Sequence, residues 1–365
     1  MVIKTEVLKN LISKASVGIG GDKLIPITEL IGISCKDGKV TIETTDSTNY
    51  VYVTTDTENK EDFEVVSYAE QFVKLVGKLT SDTTSLEIVD GNLVVTANGK
   101  YTIELPFDEN GEMVKYPDPI ADEIEKAEYS LIDGVSIEDI KNAVRIAKTS
   151  LAVKTDRPVL MNYYVGESIF ATDGCVVTEY RNNLFDSNEI LITPKFMDIL
   201  SSFTSDTVAV SISNSSIIVE SDDMILYGKI LDDADTYATE SVKQFISTKF
   251  NNQCKVDKGR LMSALDRIAL FVSAYDNRAL RLEFTSNGIT ISNMKSGSTE
   301  VIEYKEHKVK NKKKFEPNEV YINADMLIEQ LKAYPNDVVT IEHGVDFAIS
   351  LISDETTQII GLMQI

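Results

Sequence analysis

The chain has 365 residues, 43% of them hydrophobic, and a formal net charge of −22. That length supports two or three buried cores. No apolar run reaches the ~18 to 20 residues of a membrane span, the carboxylate excess disfavours wholesale phosphate binding, and three scattered cysteines, Cys35, Cys175 and Cys254, suit a reducing cytoplasm without disulfides.

In chain order, residues 2–16 predict a helix with Val7, Leu8, Leu11 and Ile12 on one face. Lys4, Glu6, Lys9 and Lys14 interrupt it, so it does not read as a secretory leader. Strands are expected over 30–35, 40–45 and 50–55, with Asp37-Gly38 supplying a tight hairpin turn. A second helix is predicted over 66–79, then strands over 85–89, 93–97 and 101–105. The polar stretch 108–128, with Pro117 and Pro119, reads as a linker.

The same order follows twice more. Helices are predicted over 136–150 and 191–203, each followed by three strands, before a polar linker over 232–244. The last third predicts helices over 257–273 and 320–334, again each with three strands, and a lysine-rich loop, Lys308–Lys314, between them. The segments beginning at Val66, Leu191 and Val320 share an apolar lead-in and bulky residues at i, i+3, i+4 and i+7. Their starts lie 125 and 129 residues apart. One α+β fold used three times is the economical reading, each copy helix-βββ-helix-βββ, with domains over 1–122, 123–245 and 246–365. Two one-faced helices must cover one face of each sheet.

Nothing in the chain reads as catalytic machinery or as a site for a metal or cofactor. His307 and His343 are the only histidines, and no CxxC, HExxH, GxSxG or phosphate-loop motif occurs. Charge, by contrast, is segregated. Counted over 2–16, 66–80, 136–150, 192–204, 255–270 and 322–334, the six predicted helices hold 14 Lys and Arg against 9 Asp and Glu, while the rest of the chain is strongly acidic. A surface that gathers positive charge on helices fits a polyanion bound through phosphates, without base readout.

Three such repeats, with basic helices and acidic strands, resemble the bacterial DNA polymerase III β subunit (β sliding clamp) family. Local matches are Lys23–Ile27 with Thr44–Asp46, the Ala171-Thr172-Asp173-Gly174 motif, Ile246–Phe250 and the apolar tail Ile359–Ile365. The resemblance implies a six-domain ring made by a head-to-tail homodimer around double-stranded DNA, with a DNA polymerase and a clamp loader as partners. Candidate DNA contacts are Lys23, Lys74, Lys78, Lys141, Arg145, Lys148, Lys195, Lys258 and Lys332. The resemblance implies a dimer contact at Leu270 and Phe271 against Tyr101 and Ile103. It also implies a partner-peptide cleft formed by Met161, Thr172, Gly174, Cys175, Val177, Phe245, Phe347, Ile360, Leu362 and Met363. Two departures, Cys175-Val176-Val177 for the family's His-Arg-Leu and Leu362-Met363 for its Met-Pro, imply altered cleft specificity, as for a phage's own polymerase. The alternative is a structural or adaptor protein of viral assembly built on the same repeat.

Overall fold

Six helices each follow almost directly on a strand. In the computed structural model, which describes residues 1–365 except 60, 125, 126, 187, 295, 296, 313 and 365, Val2–Lys4 leads into α1 (Thr5–Ala15) and Phe63–Tyr68 into α2 (Ala69–Lys78). A short helix, α3 (Pro119–Ile124), follows. Ser130–Ser136 then precedes α4 (Ile137–Ala147) and Ile190–Ile192 precedes α5 (Pro194–Ser201). After α6 (Thr239–Ile246), Asn252–Asp257 enters α7 (Lys258–Ala269) and Asn318–Asn323 enters α8 (Ala324–Ala333).

The predicted helices over 2–16, 66–79, 191–203 and 320–334 are therefore too long at the front, because their apolar lead-ins are strands, while those over 136–150 and 257–273 start within one residue of the observed helices. The junction residue stays extended, as at Tyr68 (φ −68°, ψ 117°) and Asn323 (φ −70°, ψ 126°). Asp257 and Asn323 also accept a hydrogen bond from the third helical N–H, at 3.0 Å each, which caps the helix start. Two further corrections concern the predicted linkers. The 108–128 stretch contains α3, with residues 125 and 126 outside the described residues, and the 232–244 stretch contains most of α6.

The chain forms two compact units, and the middle third contributes to both. The first comprises Met1–Glu138 and Lys195–Ile230. Its four-stranded sheet runs Val2–Lys4, Thr83–Val89, Asn92–Thr96, Lys100–Glu104. Its eight-stranded sheet joins the first third to the second where Asn49–Asp56 pairs antiparallel with Met224–Lys229. The hairpin at Asp37-Gly38 has φ of 50° and 74°, the left-handed pair that the tight turn requires. On α1, Leu8, Leu11 and Ile12 are buried; on α2, Phe72 and Val76. Each such side chain contributes about 1.5–3 kcal/mol by leaving water.

The second unit comprises Asp139–Pro194 and Leu231–Ile365. Its nine-stranded sheet joins the second third to the last, with Val176 opposite Ile360 and Val177 opposite Ile359. Its four-stranded sheet runs Thr299–Glu303, Gly288–Asn293, Ala279–Phe284, Asn318–Asn323. Helices α7 and α8 pack together and bury Leu261, Leu265, Ile268, Leu327 and Leu331 in the adjoining core. The lysine-rich loop is partly strand, Glu306–Val309. Lys310 pairs with the buried Glu342, and Lys313 lies outside the described residues.

Part of the predicted first linker packs on the first unit's larger sheet. Tyr116 lies over Gly32, where a Cβ would come within 3.0 Å of the tyrosine ring, so glycine makes room for the aromatic. Glu43 is opposite Gly32 in the ladder. Burial, reinforced by Asp118 and Glu64, pushes its carboxyl up to about 7. An unfolded-state pKa of 4.5 means the folded state holds the proton longer, so stability falls as pH rises between those two values. Glu43→Gln is expected to stabilise the unit by on the order of 2 kcal/mol at about pH 8 and by almost nothing at about pH 4. Thermal unfolding at both pH values checks it; an equal shift at both would contradict the burial argument.

Candidate nucleic-acid and partner interfaces

The apolar stripe of each helix is core, which leaves its cations on the other face. In the first unit Lys23, Lys74, Lys78 and Lys195 are exposed. Lys74 pairs with Glu70 one turn earlier at 2.5 Å, and this pairing, helped by Lys23, holds the Glu70 carboxyl low. Lys195 donates to the Val17 carbonyl at 2.7 Å. In the second unit Lys141, Arg145 and Lys148 are exposed while Lys258 is half-buried. Lys332 pairs with Glu329 at 2.8 Å.

Arg145 and Lys258 converge on one feature. Arg145 donates to the Ala333 carbonyl at 2.9 Å and Lys258 to the Tyr334 carbonyl at 2.6 Å. Both cations thus sit on the unsatisfied C-terminal carbonyls of α8, where the helix dipole favours positive charge. Burial and the neighbouring guanidinium lower the Lys258 pKa. These two have a structural duty that their spacing in the sequence did not reveal. The charge contrast is also smaller on the observed elements: over α1, α2, α4, α5, α7 and α8, 11 Lys and Arg stand against 8 Asp and Glu. Lys4 and Lys255 lie on strands.

All ten cleft residues lie in the second unit, and the structure sorts them by depth. Thr172 and Val177, buried at 5% and 8% exposure, face each other across their strands and form a floor with Ile359, which lies opposite Val177. Ile360 is a correction: it lies opposite Val176, and the strand alternation turns it to the other face of the sheet, into the core under α7 and α8. The Thr172 hydroxyl donates to the Val176 carbonyl at 2.6 Å and accepts from the Gly174 N–H at 3.0 Å. The Asp173 carboxylate takes the Cys175 and Val176 N–H groups at 2.7 Å each. This turn, with Gly174 at φ 91°, lifts the exposed Cys175 above the floor. The tail is laid beside it by Gly361 N–H to the Cys175 carbonyl at 2.8 Å and Leu362 N–H to the Phe347 carbonyl at 2.9 Å.

Above the floor, Phe245 and Phe347 are each 48% exposed and meet edge to face at 6.3 Å. Met363 is half-buried, and so is Leu362, which packs against the α7/α8 core on the opposite face rather than over the floor. Met161 is exposed at the end of a turn whose Leu160 belongs to the same core as Val177 and Ile359. The arrangement is an apolar floor with two aromatic rings standing over it, suited to apolar anchors of an extended peptide. Ile365 lies outside the described residues.

Of the proposed dimer residues, Tyr101 and Ile103 fall on a sheet edge and Leu270 and Phe271 at the end of a helix. Lys100–Glu104 is an edge strand in the first unit, with Tyr101 exposed and Ile103 buried. Thr299–Glu303 is an edge strand in the second. Leu270 and Phe271, just past α7, are strongly exposed. Sequence reasoning missed Val301 and Tyr275 in this second unit, although both are exposed. The Val301 signal was available: it stands at the solvent parity of Thr299–Glu303, between exposed Thr299 and Glu303.

Residues 1–116 match the family model for the DNA polymerase III beta subunit N-terminal domain, and residues 243–359 match the model for its C-terminal domain. Among solved structures, a DNA polymerase sliding clamp from Bacillus subtilis superposes at TM-score 0.84 and 17% identity, covering 100% of this chain and 98% of that one. A sliding clamp from Pseudomonas aeruginosa gives TM-score 0.82 and 14% identity, and a DNA polymerase III beta subunit from Thermotoga maritima 0.81 and 16%, each covering 100% of this chain and 99% of the other. No curated protein matches the sequence.

Proposed function

The chain belongs to the DNA polymerase III β subunit family, and on that premise we propose that two copies close head to tail into a sliding clamp that encircles duplex DNA and tethers a polymerase. The observation that carries the reading is the match of both terminal domains of the family at opposite ends of one chain. Each unit also has an edge strand that lacks a partner, Lys100–Glu104 in one and Thr299–Glu303 in the other. Pairing one edge with the other edge of a second copy removes two aggregation-prone edges at each contact. A half-turn rotation between copies closes the contact into a ring rather than a filament.

Three proposed clamp domains per copy, over 1–122, 123–245 and 246–365, make six around the ring. Exposed lysines such as Lys78 and Lys141 then meet phosphates weakly and without sequence preference, as sliding demands. The strong negative charge elsewhere discourages adhesion of the outer surface to DNA. The role is tethering rather than catalysis. The Phe245–Phe347 cleft receives an apolar peptide from the polymerase, and a closed ring needs a loader to open it. Negative-stain images are expected to show rings with a central hole; compact or open single chains at every concentration would contradict the proposal.

A further inference from the structure

Beside the cleft lies a second recess that the tethering role leaves unused. Its volume is about 600 Å³, and its walls include Tyr164 stacked on Tyr237 at 5.1 Å between ring centroids. Four carboxylates line it, from Glu189, Asp232, Asp235 and Glu240, against one cation, Lys243. All four acids are exposed, and none is in an ion pair among the described residues. Tyr237 is only 3% exposed, yet its hydroxyl has no hydrogen-bond partner among the described residues. That oxygen has almost no accessible surface, so it is the carboxylates that face a ligand in the recess. The local field is negative: besides burial, Glu189 and Glu240 both act to push the Tyr164 hydroxyl up.

Helix α6 joins recess to cleft. Ser241 lines the recess and Phe245 stands over the cleft, and residues at i and i+4 share a helix face roughly 6 Å apart. An extended peptide spans that distance with two residues, at about 3.3 Å each. Val242 between them is buried and fixes the helix on its core.

We propose that the recess takes a lysine or arginine side chain from the same partner peptide whose apolar anchors occupy the Phe245–Phe347 cleft. The inference rests on the cleft being a peptide site and adds to it the partner's charge: a basic residue about two positions from the apolar anchor. The aromatic pair supplies affinity through buried apolar area, and the carboxylates supply orientation and selection against acidic flanks.

The test is fluorescence anisotropy on the full chain with two labelled decapeptides sharing one leucine–phenylalanine anchor. One carries three lysines beside the anchor and the other three glutamates. At low salt the lysine peptide is expected to bind about tenfold tighter, and the difference should shrink below about twofold at high salt or in Asp235→Asn/Glu240→Gln. Phe347→Ala should weaken both peptides. Equal affinities for the two peptides, or a lysine preference unchanged in the double variant, would overturn the recess while leaving the cleft intact. Failure of both peptides to bind would overturn the cleft reading and the inference with it.

Discussion

Replacing Leu270 and Phe271 together by lysine is expected to turn the proposed dimer into single chains without unfolding either unit. Leu270 is 80% exposed and Phe271 57% exposed in the isolated chain, so lysine at both positions costs the fold little. In the assembled ring the same two side chains would be buried against the Lys100–Glu104 edge of the second copy. Two apolar anchors are then lost and two ammonium groups must be desolvated. The expected cost is at least about 4 kcal/mol per contact, roughly a thousandfold in Kd. Sedimentation velocity across a dilution series reads the shift, with circular dichroism as the control for folding. A variant that sediments like the parent would remove these residues from the interface.

A change of similar size is expected inside the second unit. Gln330 is 1% exposed on α8, and its side-chain carbonyl accepts from Gln358 Nε2 at 2.8 Å and from the Ser150 and Thr149 hydroxyls at 3.3 Å. Its own amide donates to the Thr149 carbonyl at 3.2 Å. Gln330→Leu keeps most of the volume but strands these buried groups, which costs about 3 kcal/mol. The same bonds hold the turn Lys148–Ser150, so the loss should reach the position of Lys148 as well as stability. Urea unfolding followed by a probe in the second unit measures it. A midpoint unchanged within about 0.5 kcal/mol would show that the network contributes nothing net.

The repeat was legible because helical periodicity is local. Phe72 and Val76, or Leu327 and Leu331, read as core from spacing alone, and each is buried. The strand entering each helix was not legible. Val65 and Val66 fit a strand and an amphipathic helix equally well, and only the ladder with Leu30–Lys36 decides between them. Helix α6 was missed for a related reason: its eight residues carry only one turn of apolar stripe, Val242, Phe245 and Ile246, too short to stand out from the polar stretch before it.

Among the site residues, type was readable and environment was not. Lysines on helices stand out in a sequence, whereas Leu270 and Phe271 came from the family resemblance, and their exposure past the end of α7 is hidden in an apolar run that reads as helix. That Arg145 and Lys258 cap the last carbonyls of α8 depends on residues far away in the chain. The depth ordering of the cleft likewise comes from pairing Val177 with Ile359 across strands remote in sequence. Composition misled in one respect. The basic bias of the helices narrows once the strand residues Lys4 and Lys255 are removed from them, so any attraction to DNA rests on a few exposed cations, such as Lys78 and Lys141, rather than on a broad basic face.

Encirclement is a topological claim, and topology can be measured apart from affinity. The protein is diluted to dissociate it, concentrated again with covalently closed circular DNA, and passed over a sizing column at high salt, where phosphate contacts are screened. The ring account predicts that protein travels with the circle through high salt and is released when one restriction cut makes the circle linear. Protein that leaves the intact circle at high salt, or stays on the linear form, would contradict it.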